Sequence, residues 1–546
     1  MGDSGICKIK PEFILTERPR ELALECVSDK DKRKLAENDE TPPEKKPKLS
    51  KSEKKKLRGQ NKSRGPTFRC TRETELCNTL INLSIGEKAP KCERKNCQFL
   101  HDVDEYLKIK PKDIGEICYN YETFGRCGRG LACRFGSSHI DQGRNKINSE
   151  KLVETAQAKN QLTHELQVAL RKRTYNFDFA ESLIKFNDNK KSDDNKTSGA
   201  IILSPLTTVG NLPFRRICKE FGADVTCGEM AMCSSLLQGA PQEWALVKRH
   251  HSEDIFGVQL CANNPHLLTK CGQVLQQEAE IDFIDLNLGC PIELVYKEGG
   301  GCGLLRRQRV LESCIKNLSQ LLTIPMTVKT RTGVYSNENL AHILAPKFRD
   351  WGASLITIHG RSREQRYTKL ADWTYIRQVA QAAAPLPVLG NGDVLSYEDY
   401  KIARETCPEL AGVMIGRGAL IKPWIFTEIK EQKLWDISSS ERFDLLKKYT
   451  NYGLEHWGSD NKGVENTRRF LLEWLSFLHR YVPVGLLEKP PQKINERPPF
   501  YQGRDDLETL MASTSASDWV KISEMLLGPV PENFQFLPKH KANSYK

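Results

Sequence analysis

Nowhere among the 546 residues is there an apolar run of about 18, the length a bilayer-crossing helix needs. The first residues, MGDSGICKIK, hold no apolar signal core. Ile6 stands where a myristoylation signal after Gly2 would carry Ser or Thr. These absences argue against a membrane or secreted protein and set the expected compartment as the cytoplasm, the nucleus or both. In such a reducing setting the 18 cysteines are not a disulfide scaffold; clustered cysteines there bind metal or react. A third absence is a GxGxxG after the first strand-like run, which disfavours a doubly wound dinucleotide fold.

Charge is unevenly spread. The formal net charge is +12, and Lys30 to Arg64 carries 14 Lys and Arg against 6 Asp and Glu. A solvated tail and a phosphate-attracting basic arm both fit. Residues 1–66 have few aromatics and cannot bury enough apolar area to offset ordering entropy, so a disordered basic tail is expected. Its KKPK run at Lys45 to Lys48 is similar to a nuclear-import signal. Residues 67–140 are dense in Cys and His. Residues 141–197 combine a helical pattern, SEKLVETAQAKNQLTHELQVALRKR, with a polar linker.

From residue 198 to 430 the texture changes. Eight short apolar runs recur: AIILSP, ADVTCGEM, IFGVQL, DFIDLNLGCP, PMTVKTR, SLITIHGR, LPVLGNGD and GVMIGRG. Amphipathic segments such as VLESCIKNLSQLL and WTYIRQVAQAAA lie between them. Apolar runs without alternation are strands covered on both faces, hence parallel. Eight strand-then-helix units predict an α/β TIM barrel. Residues 431–546 read as a smaller C-terminal helical domain.

Two Cys/His clusters have the ligand types of CCCH zinc fingers. One is Cys118-x8-Cys127-x5-Cys133-x5-His139 and the other Cys77-x14-Cys92-x4-Cys97-x3-His101. Four soft ligands within a short segment suit a tetrahedral structural Zn²⁺, about two ions in all. The Cys77 to Cys92 gap is long, and Cys70 competes with Cys77 for the first set.

In a TIM barrel the chemistry sits at the C-terminal ends of the strands. Collecting those ends gives Pro205, Leu206 and Thr207, then Gln259, Asn287 with Cys290, Lys329, Arg331, His359, Arg361, Asn391 to Asp393, and Gly416-Arg417. Glycines after the seventh and eighth strands bare backbone N–H groups, the usual barrel phosphate cradle. His359, Arg361 and Arg417 are cations for the same phosphate, Lys329 suits a flavin N1/O2 edge, and Gln259 and Asn391 suit ring carbonyls. Cys290, between a glycine and a proline, is a core filler, a metal ligand or a reacting group on its residues alone.

LNLGCP, a GG-rich loop, VKTR, IHGR, GNGD and IGRG, in this order, resemble the tRNA-dihydrouridine synthase family. Paired CCCH fingers ahead of the barrel resemble its eukaryotic type-3 branch. The resemblance implies an FMN-binding barrel that reduces a tRNA uridine, at the variable-loop position conventionally numbered 47, to 5,6-dihydrouridine. It implies NADPH or NADH as reductant, a hydride from FMN N5 to C6, and a proton from Cys290 to C5, and it adds RNA binding to the C-terminal helical domain. Cofactor contacts are then implied for Pro205, Leu206, Thr207, Gln259, Lys329, His359, Asn391, Gly392, Asp393, Gly416 and Arg417. Substrate contacts are implied for Asn287, Arg331 and Arg361. SPLT at Ser204 departs from the family's Ala-Pro-Met. An mRNA uridine is a second expected substrate, no membrane partner is expected, and a monomer is the expected state. Two rival readings are a flavin reductase of free pyrimidines and a CCCH RNA-binding protein with a silent barrel.

Overall fold

The computed structural model describes residues 5–15, 64, 68, 70–152, 158–185, 199–532 and 534–539. They divide into two compact units. One is Ala156–Trp435 with Pro491–Glu496; the other combines Met1–Thr155, Asp436–Pro490 and Arg497–Lys546.

The first unit is the predicted barrel. Its strands are β1 (Ala200–Leu203), β2 (Val225–Cys227), β3 (Ile255–Cys261), β4 (Phe283–Asn287), β5 (Met326–Arg331), β6 (Leu355–His359), β7 (Val388–Asn391) and β8 (Gly412–Ile415). All neighbours pair in parallel, β8 meets β1, and the β2–β3 pairing closes the circle. A two-residue strand, Ala231–Met232, lies beside β3. The strands carry no polar alternation because both faces are covered. Ile356, Thr357 and Ile358 are buried in succession. The surrounding helices begin where small polar residues supply a cap. Asn264 Oδ1 accepts from Leu267 N at 2.9 Å, and Asp372 and Ser396 do the same for their helices. Helices Pro265–Glu278 and Gln308–Leu321 pack closely at Gly272, where a Cβ would clash with Leu318 Cδ1.

Between barrel and preceding segments the helical reading is too long. Among the described residues of this stretch, His164–Lys172, capped by Thr163, and Asp178–Lys185 are the helical parts. Glu150 to Leu152 are not, and residues 153–157 and 186–198 lie outside the described residues.

The second unit is built on helices Ser439–Trp457, Asn461–Leu478, Asp506–Ala512 and Ala516–Leu527. Ser438 and Glu441 close a reciprocal capping box, and Asp460 caps the second helix. Tyr449 and Trp474 meet in the core with ring centroids 4.9 Å apart. Trp519, on helix Ala516–Leu527, is fully buried as well. The Cys/His segment belongs to this same unit. Arg134 N donates to Ser459 O at 2.8 Å, Arg134 Nη1 donates to Asn461 Oδ1 at 2.7 Å, and Cys127 Sγ lies 3.3 Å from Ser459 Oγ.

Residues 5–15 depart from the expected disordered tail. Ile6, Ile9 and Ile14 bridge to Arg497, Leu487 and Tyr501, and Cys7 and Ile9 are buried against Val482 and Leu486. Composition misses this because two apolar side chains suffice where a preformed surface receives them. Residues 16–63, with the KKPK run, lie outside the described residues.

Candidate active site and metal centres

Parallel strands put every C-terminal end at one mouth, and the register fixes which ends are neighbours. Asn287 stands opposite Lys329, Arg331 opposite His359, and His359 opposite Asn391. Five of the predicted site residues thus become adjacent through backbone pairing alone.

A chain of hydrogen bonds runs up to Cys290. Thr327 Oγ1 and Gln259 Nε2 donate to the buried Asp285 carboxylate, each at 2.7 Å. Asn287 Nδ2 donates to Gln259 Oε1 at 2.7 Å. Asn287 Oδ1 then accepts from the backbone N–H groups of Gly289 and Cys290 at 3.1 and 2.9 Å. This Asx turn sets where the thiol points. Arg331 holds the same corner from the other side, with Nε donating to Gly289 O at 2.9 Å and Nη1 to Ser362 O at 3.1 Å. The amides of Asn287 and Gln259 and the Arg331 guanidinium therefore all have protein partners that shape the Cys290 turn.

Cys290 is 7% exposed. Burial pushes its thiol up, against the pull of Ile292 N–H and the Arg331, Arg363 and Lys329 charges. The glycine-rich loop is what lets the chain close over it. Gly301 has φ +53°, and a Cβ there would stand 2.9 Å from Cys290 Cβ. Burial, with Arg331 beside it, lowers Lys329 below the ordinary lysine range, and Lys329 Nζ reaches Asn391 Oδ1 at 3.5 Å. Asn391 Nδ2 donates to Met414 O at 2.7 Å. Burial and four neighbouring cations keep His359 neutral, well below the ordinary imidazole range.

Beyond β6 and β7 a carboxylate organises two arginines. Asp393 accepts from Arg361 Nη2, from Arg417 Nη2 at 2.6 Å and from Ala371 N at 2.7 Å. Arg361 is fully buried, so in this arrangement it does not reach the open mouth. Gly392 precedes Asp393 with φ +143°, and a Cβ there would meet Ala371 Cβ at 2.5 Å. Pro205 and Leu206 are half-buried and Thr207 is exposed on the β1 loop. Gly416 lies against that loop, its Cβ position 3.7 Å from Leu206 Cδ2.

Among the described residues His359 Nδ1 is buried in this mouth with no hydrogen-bond partner. An unsatisfied buried polar atom is costly and points to a ligand that completes it. Together with the bared glycines it fits a phosphorylated flavin. Asp285, Thr327 and Tyr367 were not legible as site residues. Tyr367 reaches the mouth from the long β6 loop, with the Arg417 guanidinium 3.9 Å from its ring centroid. The RYTK run gave no spacing signal for it.

Asp393→Ala is expected to cost about 3–5 kcal/mol, since it strips a buried charge pair of one partner. Urea unfolding of the variant measures it, and an unchanged midpoint would contradict the clamp.

The structure draws each Cys/His set together, with ligand atoms of Cys77, Cys92, Cys97 and His101, and of Cys118, Cys127, Cys133 and His139, within 4.8 Å of one another. Cys70 is not in the first set; burial, with the Glu75 carboxylate near it, pushes its thiol up to about 12. All four residues of the second set are buried, and His139 Nε2 has no hydrogen-bond partner. That donor set fits a closed tetrahedral metal. The barrel thiols Cys218, Cys227, Cys233, Cys261, Cys271, Cys302 and Cys314 are buried and free.

A model of the dihydrouridine synthase (Dus) family matches residues 202–477, half of the chain. The chain belongs to the dihydrouridine synthase family. It is an oxidoreductase. Over 548 residues it is 54% identical to a Xenopus tropicalis protein named tRNA-dihydrouridine(47) synthase [NAD(P)(+)]-like, covering 91% of this chain and 84% of the relative. A Homo sapiens protein of the same name is 52% identical, covering 90% and 85%. A Coprinopsis cinerea tRNA-dihydrouridine(47) synthase [NAD(P)(+)] is 38% identical over 99% of this chain and 98% of its own. No helix among the described residues is long and apolar enough to cross a membrane.

Proposed function

We propose that the chain reduces the tRNA uridine at position 47 to 5,6-dihydrouridine, with FMN held in the barrel mouth and NADPH or NADH as reductant. The position comes from the names of relatives more than half identical to this chain. The observation that carries the chemistry is the Cys290 thiol, buried at the end of β4 in a turn that Asn287 fixes. Flavin, when bound, supplies the hydride that adds to uracil C6. The ring then carries charge at C4–C5 and needs an acid within reach of C5. A buried thiol with raised pKa is protonated at neutral pH and is that acid. Lys329 sits on the neighbouring strand end, where its ammonium would stabilise negative charge on the flavin when it is bound. His359, Arg417 and the Gly392 turn would hold the flavin phosphate, with Arg361 fixing Asp393 behind them. Zinc in the two Cys/His sets orders the segment that grips tRNA. The same site would accept a uridine in mRNA.

The purified protein should carry a flavin chromophore, oxidise NADPH faster when tRNA is added, and leave one dihydrouridine in the variable loop by mass mapping. A colourless protein would leave only the RNA-binding reading. NADPH oxidation indifferent to tRNA would favour free pyrimidines.

A further inference from the structure

Beside the Cys290 turn, three barrel loops are tied into one rim. Arg363 N donates to Gly333 O at 3.0 Å, joining the β6 loop to the β5 loop. The Arg363 guanidinium then lies 3.8 Å from the ring centroid of Tyr296, on the β4 loop six residues past Cys290. Arg306 Nη1 donates to the Tyr296 hydroxyl at 3.0 Å, and the Tyr335 phenol lies close enough to both to feel their charge. Glu293 accepts from Arg363 Nη2 at 2.6 Å, and Ser336 N donates to Glu364 at 3.2 Å.

Three features of this rim lack a structural purpose. Tyr335 is 37% exposed, and no ring or cation stacks on it among the described residues. Arg306 is exposed and pairs with no carboxylate among them. Arg363 Nε is buried without a hydrogen-bond partner. An exposed ring next to an unneutralised guanidinium is the chemistry that takes an unstacked base and its phosphate. A uridine drawn out of an RNA stack leaves such a neighbour behind.

We propose that Tyr296, Tyr335, Arg306 and Arg363 form a subsite for the nucleotide adjoining the reduced uridine. The Tyr335 ring stacks on its base, Arg306 meets its phosphate, and Tyr296, stacked against Arg363, holds Arg306 in place. This inference rests on the proposed reduction of tRNA, and it explains how a flipped uridine is kept from restacking.

The test is a two-way substitution. Tyr335→Ala should weaken tRNA about tenfold to a hundredfold, the usual range for losing one base–aromatic stack, and Tyr335→Phe should recover most of that loss. A tRNA with an abasic nucleotide on one side of the target should lose the same factor with the wild-type chain and nothing further with Tyr335→Ala. Arg306→Gln should reduce the slope of log affinity against log salt by about 0.7. Penalties that simply multiply in the double combination, on both sides of the target, would overturn the subsite. So would unchanged affinity of Tyr335→Ala. Each quantity is read as tRNA affinity by filter binding as well as rate. If the wild-type chain binds tRNA yet forms no dihydrouridine, the activity reading fails while the binding cycle still decides the subsite.

Discussion

Cys290→Ala is expected to slow uridine reduction about 10²–10⁴-fold, the usual worth of a positioned general acid. Flavin content and tRNA affinity should match the parent, because the thiol holds neither. The phosphate cradle is made by other loops, and the turn itself is fixed by Asn287 acting on backbone N–H groups. The pH dependence separates an acid from a nucleophile. An acid works from its protonated form, which is complete below its pKa and lost above it. Burial raises the Cys290 thiol, so the rate should stay level through neutral pH. It should decline only as pH rises through a value above the ordinary thiol pKa of about 8.5. A rate that climbed with pH across that region would mean the thiolate is the working form and would remove Cys290 from the role. Cys302 is the natural control. It is fully buried, and burial pushes its thiol up to about 11. Cys302→Ala should therefore leave the pH profile in place.

The barrel was readable because its physics is local. A strand covered on both faces must be a short apolar run, and each run ends where the chain leaves the core. Lys329, His359 and Asn391 were found by their position at those ends. What could not be read is the part made by distant segments. Asp285 sits inside β4 and looks like an interruption of an apolar run. Only the fold shows Thr327 and Gln259 satisfying it below the Cys290 turn. Arg361 reads as a cation for the mouth, yet Asp393, 32 residues on, draws it inside. Tyr335 and Tyr296 lie 39 residues apart on loops without periodicity, so their pairing had no signal. The Cys/His segment shows the same limit. Ligand spacing identifies the clusters, but their lodging against Ser459 and Asn461 depends on residues more than 300 positions away.

That lodging makes the two clusters unequal, and the inequality is measurable. Cys133→Ser should cost most of the zinc-linked folding energy of the second finger, about 10–16 kcal/mol in isolated fingers. Its ligands are buried, so the site has no solvent to fall back on. Its loss would also release Arg134 and Cys127 from Ser459 and Asn461, at the start of helix Asn461–Leu478. Limited proteolysis should then cut 70–152 and destabilise the helices, and tRNA affinity should collapse. The barrel, a separate compact unit, should keep its flavin. Cys92→Ser should be far milder. Its site holds an exposed His101 and half-buried Cys92 and Cys97, and its segment is also held by apolar packing of Leu76, Leu80, Ile81 and Tyr106 against Leu131 of the second finger. A chelator followed by native mass spectrometry should remove one zinc readily and the second only with unfolding. Deleting residues 1–140 outright would be a blunter probe, since it also strips Cys7 and Ile9 from the helical unit. Equal lability of the two ions, or a Cys133→Ser chain with intact helices and tRNA affinity, would contradict the view that the second finger is a structural part of the helical unit.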